Sequence, residues 1–113
     1  MSDEFNLNQK SKEAAIREAE AEQKYEKATA KFELGDYDEA LMLLRTCISM
    51  MPQSWKYHYN IAYIYWRKDL LEVAINHYKL FLKYAPAGDN DRELIKGRIL
   101  WLESEIKKRR QLR

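Results

Sequence analysis

Trp55-Lys56-Tyr57-His58-Tyr59-Asn60-Ile61-Ala62-Tyr63-Ile64-Tyr65-Trp66-Arg67-Lys68 is the stretch whose reading decides the fold. Read two residues at a time, Trp55, Tyr57 and Tyr59 alternate with Lys56 and His58, the period of a strand. Six Trp and Tyr residues fall within 55–66, and aromatics favour strands. Read at spacings of three and four, Ile61, Ala62 and Tyr65 form one stripe, and Tyr59, Tyr63 and Trp66 form another. Periodicity within the stretch does not choose between the two.

The rest of the chain favours the helical reading. Its 113 residues contain three Gly and two Pro, so turns are few and elements long. Residues 9–34 hold no Pro or Gly and are rich in Ala, Glu, Lys and Gln, strong helix formers. Gly35 supplies a helix stop. Asp36 and Glu39 have the spacing of a capping box for a second helix, Tyr37 to Met50. Further helical segments run from Trp55 to Lys68, Leu71 to Tyr84 and Glu93 to Arg110, with Pro52 and Pro86 at the breaks. Residues 86–91, Pro-Ala-Gly-Asp-Asn-Asp, read as a turn with helix-capping residues.

A 34-residue repeat settles the matter. Tyr25 pairs with Tyr59, Ala28 with Ala62, Phe32 with Trp66 and Ala40 with Ala74. Leu44 pairs with Tyr78, Cys47 with Phe81 and Pro52 with Pro86. With the turn Gly35-Asp36-Tyr37-Asp38-Glu39-Ala40, this pattern resembles the tetratricopeptide repeat, a helix–turn–helix unit of that period. The resemblance implies an all-α array of two repeats (21–54 and 55–88) and a capping helix (89–110). A flexible lead-in (1–8), an extension of the first helix (9–20) and a basic tail (111–113) complete the expected organisation. The small residues Ala28, Ala40, Ala62 and Ala74 are expected where helices cross closely. Continuing the register puts Ile95 and Ile99 opposite Ile61 and Tyr65, on the packing side of the last helix.

Two departures from the family pattern are informative. Lys24, Lys27 and Lys31 stand at positions that are apolar or aromatic in the family, which suggests the first repeat of an array. Asp69 stands where the family often has Gly, and Gly35 fills that place in the first copy.

In the family the first helix of each repeat lines a concave groove. On this chain those positions are Tyr25, Thr29 and Phe32, then Tyr59, Asn60, Tyr63 and Trp66, then Gly97, Leu100 and Trp101, with Lys56 and Arg67 at the margins. Tyr, Trp and Arg dominate binding hot spots. The resemblance therefore implies a partner-binding groove, aromatic with polar and basic edges, able to hold a partner's peptide or helix. One subclass clamps chaperone C-terminal carboxylates with Lys and Asn on the first helix, Asn on the next and Lys/Arg on the third. Asn60 matches the middle Asn, but Tyr25 and Thr29 occupy the first positions and Asn90 the third-helix Lys position. The clamp is largely missing, and chaperone-tail binding is not expected.

Chemistry of other kinds finds little in the residues. No Gly-rich phosphate loop, nucleophile elbow or pair of catalytic carboxylates occurs, so no enzyme and no cofactor are expected. His58 and His77 lie 19 residues apart without ligand-spaced acids or cysteines, so no metal is expected. Cys47 reads as a small buried apolar residue. Lys107-Lys108-Arg109-Arg110 is read as favouring a helix dipole rather than as a nucleic-acid patch.

The net charge of +2 hides a gradient: −5 over residues 1–39, +2 over 40–91 and +5 over 92–113. Oppositely charged ends, with Ala15, Ile16, Ala19 and Gln23 on one face of the first helix, suggest an alternative role. This is a self-associating scaffold whose head-to-tail contacts are sensitive to salt. No apolar run reaches membrane-spanning length. Ser2, Asp3 and Glu4 after Met1 do not resemble a secretory signal, so the expected location is cytoplasmic, the alternative being a mature or truncated form of an envelope protein.

Overall fold

A computed structural model describes the backbone of residues 2–112 and the side chains of residues 8–112. Five helices follow in order: α1 (Ser2–Glu33), α2 (Tyr37–Met50), α3 (Trp55–Arg67), α4 (Leu71–Tyr84) and α5 (Arg92–Gln111). No strand occurs among the described residues. The chain divides into two compact units, Met1–Pro52 and Gln53–Arg113. In the first, α1 packs on α2; in the second, α4 packs on both α3 and α5.

The aromatic stretch is helical, and its burial pattern says why. Tyr57 and His58, Ile61 and Ala62, and Ile64 and Tyr65 are buried as pairs, three or four residues from one pair to the next. That is the spacing of helix faces, not of strand alternation. Burial within the repeat register agrees: Ala28 with Ala62, Ala40 with Ala74, Leu44 with Tyr78 and Cys47 with Phe81 are all buried. Alanines at such places let helix backbones approach closely, and Tyr78 and Phe81 are the largest of the fully buried side chains. Fully burying a large apolar side chain contributes about 1.5–3 kcal/mol.

The α1–α2 and α3–α4 turns are copies of one another. Gly35 has φ 80° and Asp69 has φ 64°, both in the left-handed region. Around Gly35, the Gly35 N–H donates to the Phe32 carbonyl at 3.0 Å and the Asp36 N–H to the Lys31 carbonyl at 2.9 Å. Around Asp69, the Asp69 N–H donates to the Trp66 carbonyl at 2.9 Å and the Leu70 N–H to the Tyr65 carbonyl at 2.8 Å. The second turn thus keeps the glycine conformation without the glycine, which Asp tolerates better than most residues.

Several local expectations need revision. α1 begins at Ser2, not Gln9, because residues 2–8 hold no Pro or Gly to stop it. Met1, the first residue of the expected lead-in, lies outside the described residues, as do the side chains of residues 2–7. The capping box is one-sided: the Glu39 N–H donates to Asp36 Oδ1 at 3.3 Å, but the Glu39 carboxylate takes Lys31 Nζ at 2.9 Å. At α5 the Asp91 side chain makes no cap. Asp89 Oδ1 accepts the Asp91 N–H at 2.9 Å instead, an Asx turn. Arg92 Nη1 then reaches back to the carbonyls of Leu82 (2.7 Å) and Ala85 (3.1 Å), tying α5 to the end of α4.

Candidate functional site

The expected groove residues belong to both units. In the first, Tyr25, Thr29 and Phe32 are half-buried on α1. The Thr29 hydroxyl donates to the Tyr25 carbonyl at 2.9 Å, and the Phe32 ring meets Tyr37 edge-on at 5.4 Å between centroids.

The second unit gathers the larger constellation. Tyr59, Asn60, Tyr63 and Trp66 are half-buried on α3, while Lys56 and Arg67 are exposed. Tyr59 meets the buried rings of Phe81 (5.5 Å) and Tyr78 (6.4 Å) edge-on. Tyr63 meets Trp66 edge-on at 6.0 Å, and Trp66 lies 5.8 Å from Trp101 of α5 at a tilt. Trp101 is 53% exposed, and Leu94 and Leu100 on the same helix are exposed as well. Ring pairs at these distances favour edge-to-face and tilted geometries and hold one another in place. The result is a row of rings, Tyr63, Trp66 and Trp101, that ends in an exposed indole, with Tyr59 beside the buried Tyr78 and Phe81.

Arg98 sits within this set, and sequence reasoning missed it. In the 34-residue register it falls opposite Ile64, which is fully buried, so the register gave no reason to expect a cation. Its guanidinium carbon lies 4.9 Å from the Trp66 ring centroid and 5.5 Å from that of Tyr78. Its Nη1 donates to the Tyr78 hydroxyl at 3.1 Å. Burial acts to lower the Arg98 pKa, but hydrogen bonds with Tyr78 and Tyr59 outweigh it and the net shift is upward. Burial pushes the Tyr78 phenol up, against the opposing pull of Arg98.

His58 and His77, far apart in sequence, come together between α3 and α4, with Nδ1 atoms 3.1 Å apart. Tyr65, His77, His58 and Tyr84 form a ladder of stacked rings alternating between the two helices. Among the described residues, no cluster of three or more His, Cys, Asp or Glu side chains is placed to hold a metal ion. The basic end of α5 is partly paired: Arg109 Nη1 lies 2.9 Å from Asp69, and Arg110 Nη2 lies 3.1 Å from Glu72. Cys47 is buried, and its thiol donates to the Ala21 carbonyl at 3.4 Å. Burial pushes that thiol up in pKa.

A family model of the tetratricopeptide repeat matches residues 21–54 and 56–87. The chain belongs to the tetratricopeptide repeat family. Comparison with curated proteins returns no match. Repeats of this family generally mediate protein–protein interaction. No helix among the described residues is long and apolar enough to cross a membrane.

Proposed function

We propose that this chain is a non-catalytic interaction module that holds a peptide or helix of a partner protein against its aromatic surface. In this role it would serve as an adaptor, chaperone or assembly factor. The observation that supports the reading is the row of rings Tyr63, Trp66 and Trp101, ending in an indole that is 53% exposed, with Tyr59 on the same helix as Tyr63 and Trp66, against the buried rings of Tyr78 and Phe81. Large rings held rigid by their neighbours lose little freedom when a partner covers them, and this is the composition of binding hot spots. Tyr25, Thr29 and Phe32 are the corresponding positions of the first unit. Affinity capture from a lysate with mass spectrometry tests the reading. Tyr63→Ala with Trp66→Ala, checked for helicity by circular dichroism, should lose the partners that the parent chain retains. Retention of every partner by that variant would count against the site.

A second reading, self-association through α1, rests on a separate observation. α1 has 32 residues, or about 48 Å of helix, against 14 in α2. Its residues 8–20 are all exposed, and Ile16 is 58% exposed. Light scattering at two protein and two salt concentrations separates the readings, since a monomer throughout leaves only the first.

A further inference from the structure

Arg98 is a half-buried cation without an anion beside it. Its partners are the Tyr78 hydroxyl at 3.1 Å, the Tyr59 phenol and the ring faces of Trp66 and Tyr78. Among the described residues, no carboxylate pairs with it. The neighbouring arginines differ: Arg109 and Arg110 have Asp69 and Glu72, and Arg92 has two helix-end carbonyls. A guanidinium stays charged and offers five N–H donors in a planar fork. Two phenols, neutral at ordinary pH, satisfy two of the five at most. Desolvating a charge without a counter-ion is costly, and an aliphatic side chain would fill the place more cheaply, as Ile64 does at the equivalent position. An anion supplied from outside would resolve the mismatch.

We propose that Arg98 is the receptor for a carboxylate of the bound partner segment. The partner class is then narrower than the interaction reading on which this rests. It is a protein segment with an Asp or Glu flanked by apolar side chains. The acid meets the free side of the guanidinium, and the apolar neighbours cover Trp66 and Trp101. A carboxylate matches the fork in two parallel hydrogen bonds, and the rings beside it exclude water and strengthen them. The position is not that of the family's carboxylate clamp, whose third-helix Lys is replaced by Asn90. Nucleic acid is a poorer match, because a strand needs a row of cations for its phosphates, and Arg109 and Arg110 are already paired.

The test is selection from a displayed library of random 12-residue peptides on the full chain, in parallel with Arg98→Gln and Trp101→Ala. The parent chain should select peptides with one strongly acidic position, and Arg98→Gln should lose that preference. A selected peptide remade with Gln for its acid should bind the parent chain at least about tenfold more weakly, and Arg98→Gln no differently. The comparison of the two peptides on the parent chain holds whether or not the variant folds. Peptides without an acidic position, lost on Trp101→Ala, would overturn the carboxylate proposal and leave the interaction reading standing. Absence of any peptide that depends on Trp101 would overturn both. Tighter binding of a single-stranded 12-nucleotide oligomer than of any selected peptide would also overturn the proposal.

Discussion

His58 Nδ1 lies 3.1 Å from His77 Nδ1, so one imidazole donates and the other accepts across the α3–α4 contact. His58 is 3% exposed, and the pair is stacked between Tyr65 and Tyr84, with Lys83 over the Tyr84 ring. Such a bond requires one bare ring nitrogen and cannot form between two imidazolium rings. In a cycle of His58→Phe, His77→Phe and the double variant, read from urea unfolding of the four proteins, the coupling energy should favour the native pair by about 1 kcal/mol. A coupling of zero would show that the hydrogen bond adds nothing to the separate packing of the two rings.

The two turns should respond oppositely to glycine chemistry. Gly35→Ala forces a Cβ into φ 80° and should cost about 1–2 kcal/mol, although the space around it is open. Asp69→Gly relieves φ 64° but loses the exposed pair with Arg109, whose worth is about 0–1 kcal/mol. A gain of up to about 1 kcal/mol is expected at moderate salt, where the ion pair is screened. Thermal melts of both variants at two salt concentrations check the pair of signs.

Ala62, within α3, and Ala74, near the start of α4, are both fully buried. Ala62→Leu or Ala74→Leu should overpack the core of the second unit, where α3 and α4 meet, and cost about 1–3 kcal/mol. Unchanged melting of both variants would contradict the packing described for the second unit.

Stability should decline in alkali. The Cys47 thiol and Tyr78 phenol are both raised by burial in the folded chain. Their ordinary values are about 8.5 and 10. Below those values the stabilisation is complete. As pH rises through them toward the raised folded values, the unfolded chain releases protons that the folded chain keeps, and stability falls. The Cys47 part should disappear in Cys47→Val and the later part in Tyr78→Phe, read from urea midpoints between pH 8 and pH 11.

Much of the fold was legible in the residues because its signals are local or periodic. Gly35 demands a left-handed turn, Asp36 caps the next helix, and the register fixes Asp69 as the second turn although its residue type argues less strongly for it. The alanine pairs and Ile95 and Ile99 mark buried positions through spacing alone. Tyr63, Trp66 and Trp101 could be nominated from the same register, and their rings do meet within the second unit. Only the tertiary structure decided the place of Arg98 and the meeting of His58 with His77. These contacts join residues 20 and 19 apart on different helices. They depend on helix crossing and on side-chain rotamers, which no periodic pattern encodes. A register that equates Arg98 with Ile64 records where a side chain stands on its helix. What that side chain touches is set by the neighbouring helix, and here α3 offers Trp66 while α4 offers the Tyr78 hydroxyl.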